Sequence, residues 1–352
     1  MAALAGQLLF FAMVAALIAG VIWAVSVMRK PRPPLEEADD EDDEWDAVAS
    51  VAYTKLMHTL SDSGSDSQTL FEDARELSAA FVRNEHRTGL LPPDAADVMV
   101  LGFERAGDAG LAESYMELAA LYRNGGTWRA PLLPKDDNRA IELYRLAELL
   151  GHPEASLQLA QTAYFARRTD LADEVWQRAE TLSSSVPERS DVLVFVGYLL
   201  NAGFGVPADP LAAIHKFHGA ASLGNADAAF ELGLLRQAGI GLPRDEDAGL
   251  GWFFWAADLG STRAQYNLGA FYGAGTNGLP RDAEMSLQWY LKAAEANHGQ
   301  AALTAGLMLL VGDGGLPPDP DRGAELLTQA DYLLGESVVQ ERLAAMGLGP
   351  RD

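Results

Sequence analysis

The sequence predicts an all-α fold: an α-solenoid of helix–loop–helix repeats behind one N-terminal transmembrane helix. Three observations carry this. Alanine and leucine dominate and β-branched residues are sparse after the first thirty positions, which favours helices because Ala and Leu lose little side-chain entropy in them. Four separate features recur with a period of 36 or 37 residues, the mark of a repeat array. The first 28 residues carry no formally charged side chain. Hydrophobic residues make up 49% of the 352, so the chain can bury a core along most of its length.

The opening stretch, residues 1–28, would be about 42 Å long as a helix, more than the roughly 30 Å of a hydrocarbon core. Trp23 lies near its basic end, where interfacial aromatics sit. A cleavable signal peptide needs a basic region before a shorter apolar run, and neither is present. An uncleaved, single-pass anchor in the lipid bilayer is therefore expected. Arg29, Lys30 and Arg32 follow it, and such a cluster prefers the cytoplasmic side. The expected location is a bacterial inner membrane with the C-terminal domain in the cytoplasm. Pro31, Pro33 and Pro34 end the helix. The run "EEADDEDDE" then repels itself and stays extended, giving a basic and proline-containing, then acidic, tether over residues 29–44.

Residues 45–113 read as a helical entry or capping region. Trp45, Val48, Ala52, Leu56 and Leu60 fall at helical spacing. "SDSGSDS" (61–67) interrupts them. A second helix is expected near Thr69, which has capping-box spacing with Glu72, and a third runs through Val98, Leu101 and Ala106.

The repeat follows. Gly197, Gly233, Gly269 and Gly306 each come after an apolar residue, and Gly203, Gly239, Gly275 and Gly312 come six residues later. Asp209, Asp245, Asp282 and Asp319 keep the same step, as do the alanine pairs 220–221, 256–257 and 293–294. A glycine inside a helix costs about 1 kcal/mol against alanine, which makes sense if another helix crosses close to that face. The second glycine suits a left-handed turn, and the aspartate can cap the next helix. Such a unit cannot bury its own apolar face, so units must stack.

The stretch "AQYNLGAFYGAGTNGLPRDAEMSLQWYLKAAEANH" (264–298) resembles the Sel-one-like repeat (SLR) family, a relative of the tetratricopeptide repeat. Residues 192–224, 228–260 and 301–335 match the same pattern, and 114–155 is similar with a loop insertion around Trp128. Residues 155–180 have lost the glycine loop and read as a plain tetratricopeptide unit. Arg236 and Leu200 replace the family's tyrosine, and Asn277 stands where glycine is usual. The resemblance implies a right-handed solenoid over residues 114–335, with a concave face for protein binding and no reaction. Residues 336–352 are then a tail or a capping helix.

In that family, varying positions of each first helix tend to line the concave face. Here they are Phe195, Glu231, Asn267 and Thr304 in one row, and Tyr198, Leu234, Ala270 and Leu307 in another. The protein-binding candidates are Phe195, Tyr198, Glu231, Leu234, Asn267 and Thr304, with the two aromatics as anchors. The next row, Leu199, Leu235, Phe271 and Met308, reads as interhelix core.

Other chemistry finds little support. The net charge is −24, of which −18 lies beyond residue 46; this disfavours nucleic acid and favours a basic protein or peptide. No cysteine is present, which excludes disulfides, thiolate catalysis and Cys-bound zinc. His215 and His218 sit i, i+3 on one helix but lack further ligands nearby. No phosphate loop, H-E-x-x-H or G-x-S-x-G pattern occurs, so neither an enzyme nor a cofactor is expected. The expectation is a membrane-anchored protein–protein scaffold or adaptor. One alternative is a periplasmic Sel-one-like regulator of envelope assembly or signalling; a more remote one is a membrane-bound hydrolase or lectin-like protein.

Overall fold

The computed structural model describes residues 41–62, 64–83, 92, 94–125 and 133–348. These form sixteen α-helices and no strand, an all-α helical repeat solenoid. The chain divides into two compact units, residues 35–209 and residues 210 onward. The expected anchor, residues 1–28, and tether residues 29–40 lie outside the described residues. Among the described residues no helix is long and apolar enough to cross a membrane.

The first unit opens with α1 (Glu41–Ser61), α2 (Ser67–Arg83) and α3 (Ala95–Asp108). Helix α1 takes in the last four residues assigned to the tether. The start of α2 also differs from expectation. Asp66, not Thr69, supplies the cap: its Oδ1 accepts from the Thr69 amide at 2.9 Å and its Oδ2 from the Thr69 hydroxyl at 2.9 Å. The three helices meet at Gly102, where a Cβ would come to 3.0 Å from both Ala74 and Leu56. On α3 the buried side chains are Val98, Met99, Phe103 and Ala106, whereas Leu101 is exposed.

Repeats follow as pairs: α4 (Ala112–Asn124) with α5 (Asp137–Leu149), then α6 (Ala155–Phe165) with α7 (Ala172–Ser185). Helix α8 (Ser190–Ala202) ends the first unit. The second unit holds α9 (Pro210–Ser222), α10 (Ala226–Ala238) with α11 (Glu246–Asp258), and α12 (Thr262–Ala274) with α13 (Ala283–Glu295). It closes with α14 (Gly299–Val311), α15 (Pro320–Leu334) and a last short helix, α16 (Glu336–Ala345).

Each recurring residue has a structural reason. At the crossing of α10 and α11 a Cβ on Gly233 would lie 3.2 Å from the Gly249 carbonyl oxygen and 3.3 Å from the Phe253 ring. Gly306 is as tightly placed against Leu327 and Gly323 at the α14–α15 crossing. The glycine six residues on ends the first helix left-handed, with φ of 72°, 68° and 69° at Gly239, Gly275 and Gly312. Two residues further the chain is left-handed again, and Asn277 takes this conformation at φ 54° where Gly241 has 73°. Asparagine is among the few non-glycine residues that tolerate it. The aspartates cap the second helices: Asp245 accepts from the Ala248 amide at 2.9 Å, Asp282 from Met285 at 3.0 Å and Asp319 from Arg322 at 3.1 Å. Arg236, which stands in for a tyrosine, binds the same loop through Asp245 Oδ2 at 2.8 Å and the Pro243 carbonyl at 2.9 Å.

The core of the second unit's end runs through the alanine pair 293–294, Leu303, Leu307, Met308 and Leu327, and includes Val339 and Leu343 of α16. The final helix is thus pinned by one buried face.

Candidate functional site

The two units place the expected site residues differently. In the first, Phe195 is only 1% exposed, with its ring edge-on to Tyr164 at 5.8 Å. It is a core residue and offers no surface to a partner. The reason lies one repeat earlier. Helix α6 has lost the glycine loop and carries Tyr164 in its last turn, where the ring packs against Phe195 and, at 5.3 Å, Phe204. Tyr198 is half-buried.

In the second unit the first helices turn their glycines towards the second helices. Residues two before and one after each glycine stand about 100° to 160° round the helix from it. Glu231 and Leu234, Asn267 and Ala270, and Thr304 are accordingly half-buried, and Leu307 is 7% exposed. Glu231 does not offer a free carboxylate. Arg263 Nη1 lies 3.2 Å from its Oε1 and 3.9 Å from Asp227 Oδ1, while the guanidinium sits 4.1 Å from the Phe230 ring centroid. This pairing of a partly exposed arginine is worth well under 1 kcal/mol per ion pair, but it fixes the charges to each other.

Beyond that cluster α14 and α16 enclose a cleft of about 840 Å³, with Tyr266 of α12 at its edge. Its apolar lining includes Leu303, Leu307 and Met308 from α14 and Val338, Ala345 and Met346 from the chain end. Gln300, Asp313, Glu341 and Arg342 add exposed polar groups. Thr304 also lines it, and its hydroxyl donates to the Gln300 carbonyl at 2.8 Å, within its own helix. Sequence reasoning reached Thr304 and Leu307 but missed the α16 wall, whose only signal was a short apolar pattern at the chain end.

One side of the cleft rests on His298. Its Nδ1 accepts from the Ala301 amide at 3.2 Å and so caps α14. Its ring stacks on Tyr266 at 4.9 Å and 20°, and Tyr266 tilts against Tyr290 at 5.3 Å. Burial holds the His298 imidazole below its ordinary pKa and, with Tyr266 nearby, pushes the Tyr290 phenol up to about 12.

His218 also has a lowered pKa, shifted by burial and by His215; its ring meets Trp252 edge-on at 4.9 Å. Among the described residues no group of three or more His, Cys, Asp or Glu side chains is placed to hold a metal.

This set of paired helices, glycine crossings and capped loops has counterparts among known proteins. The Sel1 repeat matches residues 112–152, 190–225, 226–261, 262–298 and 300–330, just over half of the chain. The chain belongs to the Sel1 repeat family. The degenerate pair α6–α7 is outside these matches. A Sel1 repeat protein from Oxalobacter formigenes is similar at 21% identity and a TM-score of 0.50, with 93% of each chain covered. This likeness is one of fold. A protective antigen with an SLR fold from uropathogenic Escherichia coli strains has 17% identity and a TM-score of 0.36, covering 89% of this chain and 82% of that one. An immunity protein from Pseudomonas aeruginosa has 19% identity and a TM-score of 0.37, covering 74% and 83%. No curated protein sequence matches the chain.

Proposed function

We propose that this Sel1 repeat protein is a scaffold that binds another protein through the first-helix face of its second unit and carries that partner to a membrane. The observation that supports it most is the cleft between α14 and α16, which Thr304 lines and which shares its register positions with the half-buried Asn267 and Leu234 of the two preceding first helices. Mixed apolar and polar lining on rigid helices suits recognition of a preformed peptide or helix with little coupled folding. No reaction is assigned to this face.

The membrane part rests on residues 1–28, uncharged and long enough to span, and on Arg29, Lys30 and Arg32 behind them. Tethering would raise the effective concentration of a captured partner near other membrane components. The cytoplasmic side is the favoured one. A reporter active on only one side of the membrane, fused after residue 352, separates this from a periplasmic regulator.

The direct test is crosslinking in intact cells followed by affinity purification, comparing the natural chain with a Leu234→Glu/Thr304→Arg variant. A partner captured by the first and lost from the folded variant supports the reading. A partner held equally by both, or none at all, rejects it.

A further inference from the structure

The cleft between α14 and α16 differs from the rest of the first-helix face. Along α10 and α12 the charged groups Asp227, Glu231 and Arg263 satisfy one another. In the cleft, Asp313 and Glu341 are exposed and form no ion pair with any described residue. Over the whole face four carboxylates (Asp227, Glu231, Asp313, Glu341) stand against two guanidiniums (Arg263, Arg342), so the surplus is negative. The sequence of the whole unit has the same sign, with nine basic and seventeen acidic residues from 210 onward.

The shape narrows the occupant further. Both walls are helices whose backbone groups are satisfied internally, so there is no sheet edge for an extended strand to join. Tyr266 is the cleft's one aromatic, too little for the aromatic-lined groove that a polyproline segment needs. A trough between helices of 13 and 10 residues is about 15 to 20 Å long, the length of three helical turns. Its floor offers Met308 from one wall and the 43% exposed Met346 from the other, and thioethers adapt to irregular apolar side chains. A volume of about 840 Å³ holds a few side chains, not a folded domain.

We propose that this cleft receives one face of a short, basic, amphipathic helix from another protein. Its apolar residues, spaced i, i+3 or i+4, i+7, lie between α14 and α16, and its flanking Lys or Arg side chains face Asp313 and Glu341. This names the partner class for the protein-binding reading above and rests on it.

The test uses the full chain and three labelled 14-residue peptides. The first has Leu at helical spacing and Lys elsewhere; the second replaces Lys by Glu; the third keeps the first composition with strict alternation. Binding is followed by fluorescence anisotropy. The expected result is that the first peptide binds most tightly and that binding weakens as salt rises. Asp313→Lys/Glu341→Lys should weaken it about tenfold, and Met346→Lys at least fivefold, with Gln288→Lys on α13 as an unchanged control. All four positions are exposed, so the variants should fold, and a thermal melt checks this. Equal binding of the second or third peptide, or the same loss in the Gln288 control as in the cleft variants, overturns the proposal. So does failure of every peptide to bind while cells still yield a partner dependent on Leu234 and Thr304; in that case the scaffold reading stands. If cells yield no such partner either, the scaffold reading itself has failed.

Discussion

Gly269 lies so close beneath Tyr290 that a Cβ at position 269 would stand 2.8 Å from the ring's Cδ1. The Ser286 hydroxyl donates to the Gly269 carbonyl at 2.7 Å and locks the same crossing. Tyr290 is 6% exposed and has no open space to swing into. Gly269→Ala should therefore destabilise the protein by about 1–3 kcal/mol, although alanine is the better helix former by about 1 kcal/mol. Gly251 on α11 has nothing within 4 Å of its would-be Cβ, and Gly251→Ala should stabilise by about 0.5–1 kcal/mol. Thermal or urea melts of the two variants should move in opposite directions. A matched pair of shifts would mean that the glycines are not placed by helix crossing.

The aspartate at each repeat loop is a cap first. Asp282→Ala removes one acceptor and should cost about 1 kcal/mol. Asp245→Ala removes the cap and the partner of Arg236 together, so it should cost more, about 1–2 kcal/mol. Arg236→Ala in the Asp245→Ala background should then add little, which a double-mutant cycle in urea measures.

Phe195 and Tyr198 are three residues apart on α8, and their truncations should differ several-fold in cost. Truncating the 1% exposed Phe195 to alanine should cost about 3–5 kcal/mol, because it opens a cavity against Tyr164. Tyr198→Ala, at a half-buried position, should cost about 1 kcal/mol. Chemical denaturation of the purified variants separates the two.

His298 makes the cleft sensitive to acid. Its pKa is lower in the folded chain than unfolded, chiefly through burial, so the unfolded chain takes up the proton first. The stability it contributes is therefore complete above the unfolded value of about 6.5 and is lost as pH falls below it towards the folded value. Protonation also removes Nδ1 as the acceptor for Ala301. The melting temperature should drop between pH 7 and pH 5. In His298→Asn, where asparagine caps without titrating, that part of the drop should disappear while the melting temperature at pH 8 stays close to the original.

The repeat was legible because each marked residue answers to a local demand: a close crossing at Gly233, a left-handed turn at Gly239, a free amide to cap at Asp245. Those demands are the same in every unit, so they show as a period. What was not legible depends on neighbours. Phe195 shares a register position with Glu231 and Asn267, yet the altered end of α6 brings Tyr164 onto it and buries it. The α2 cap sits at Asp66 because an aspartate three residues before the Thr69 amide outcompetes the capping-box reading of Thr69 itself. The cleft depends on α16, a ten-residue helix whose buried Val339 and Leu343 give it a place only once the preceding repeat exists to pack against.

The central claim, that the first-helix face of the second unit binds a protein, is tested most directly by a photo-crosslinking residue placed in living cells. It would go at Leu234, Asn267 or Thr304 on that face, and at Gln288 or Trp255 on the second helices, one chain at a time. The account predicts a discrete adduct of the same partner from the first three positions and none from the last two. Adducts of a specific partner from Gln288 or Trp255, with none from Leu234, Asn267 and Thr304, would contradict it.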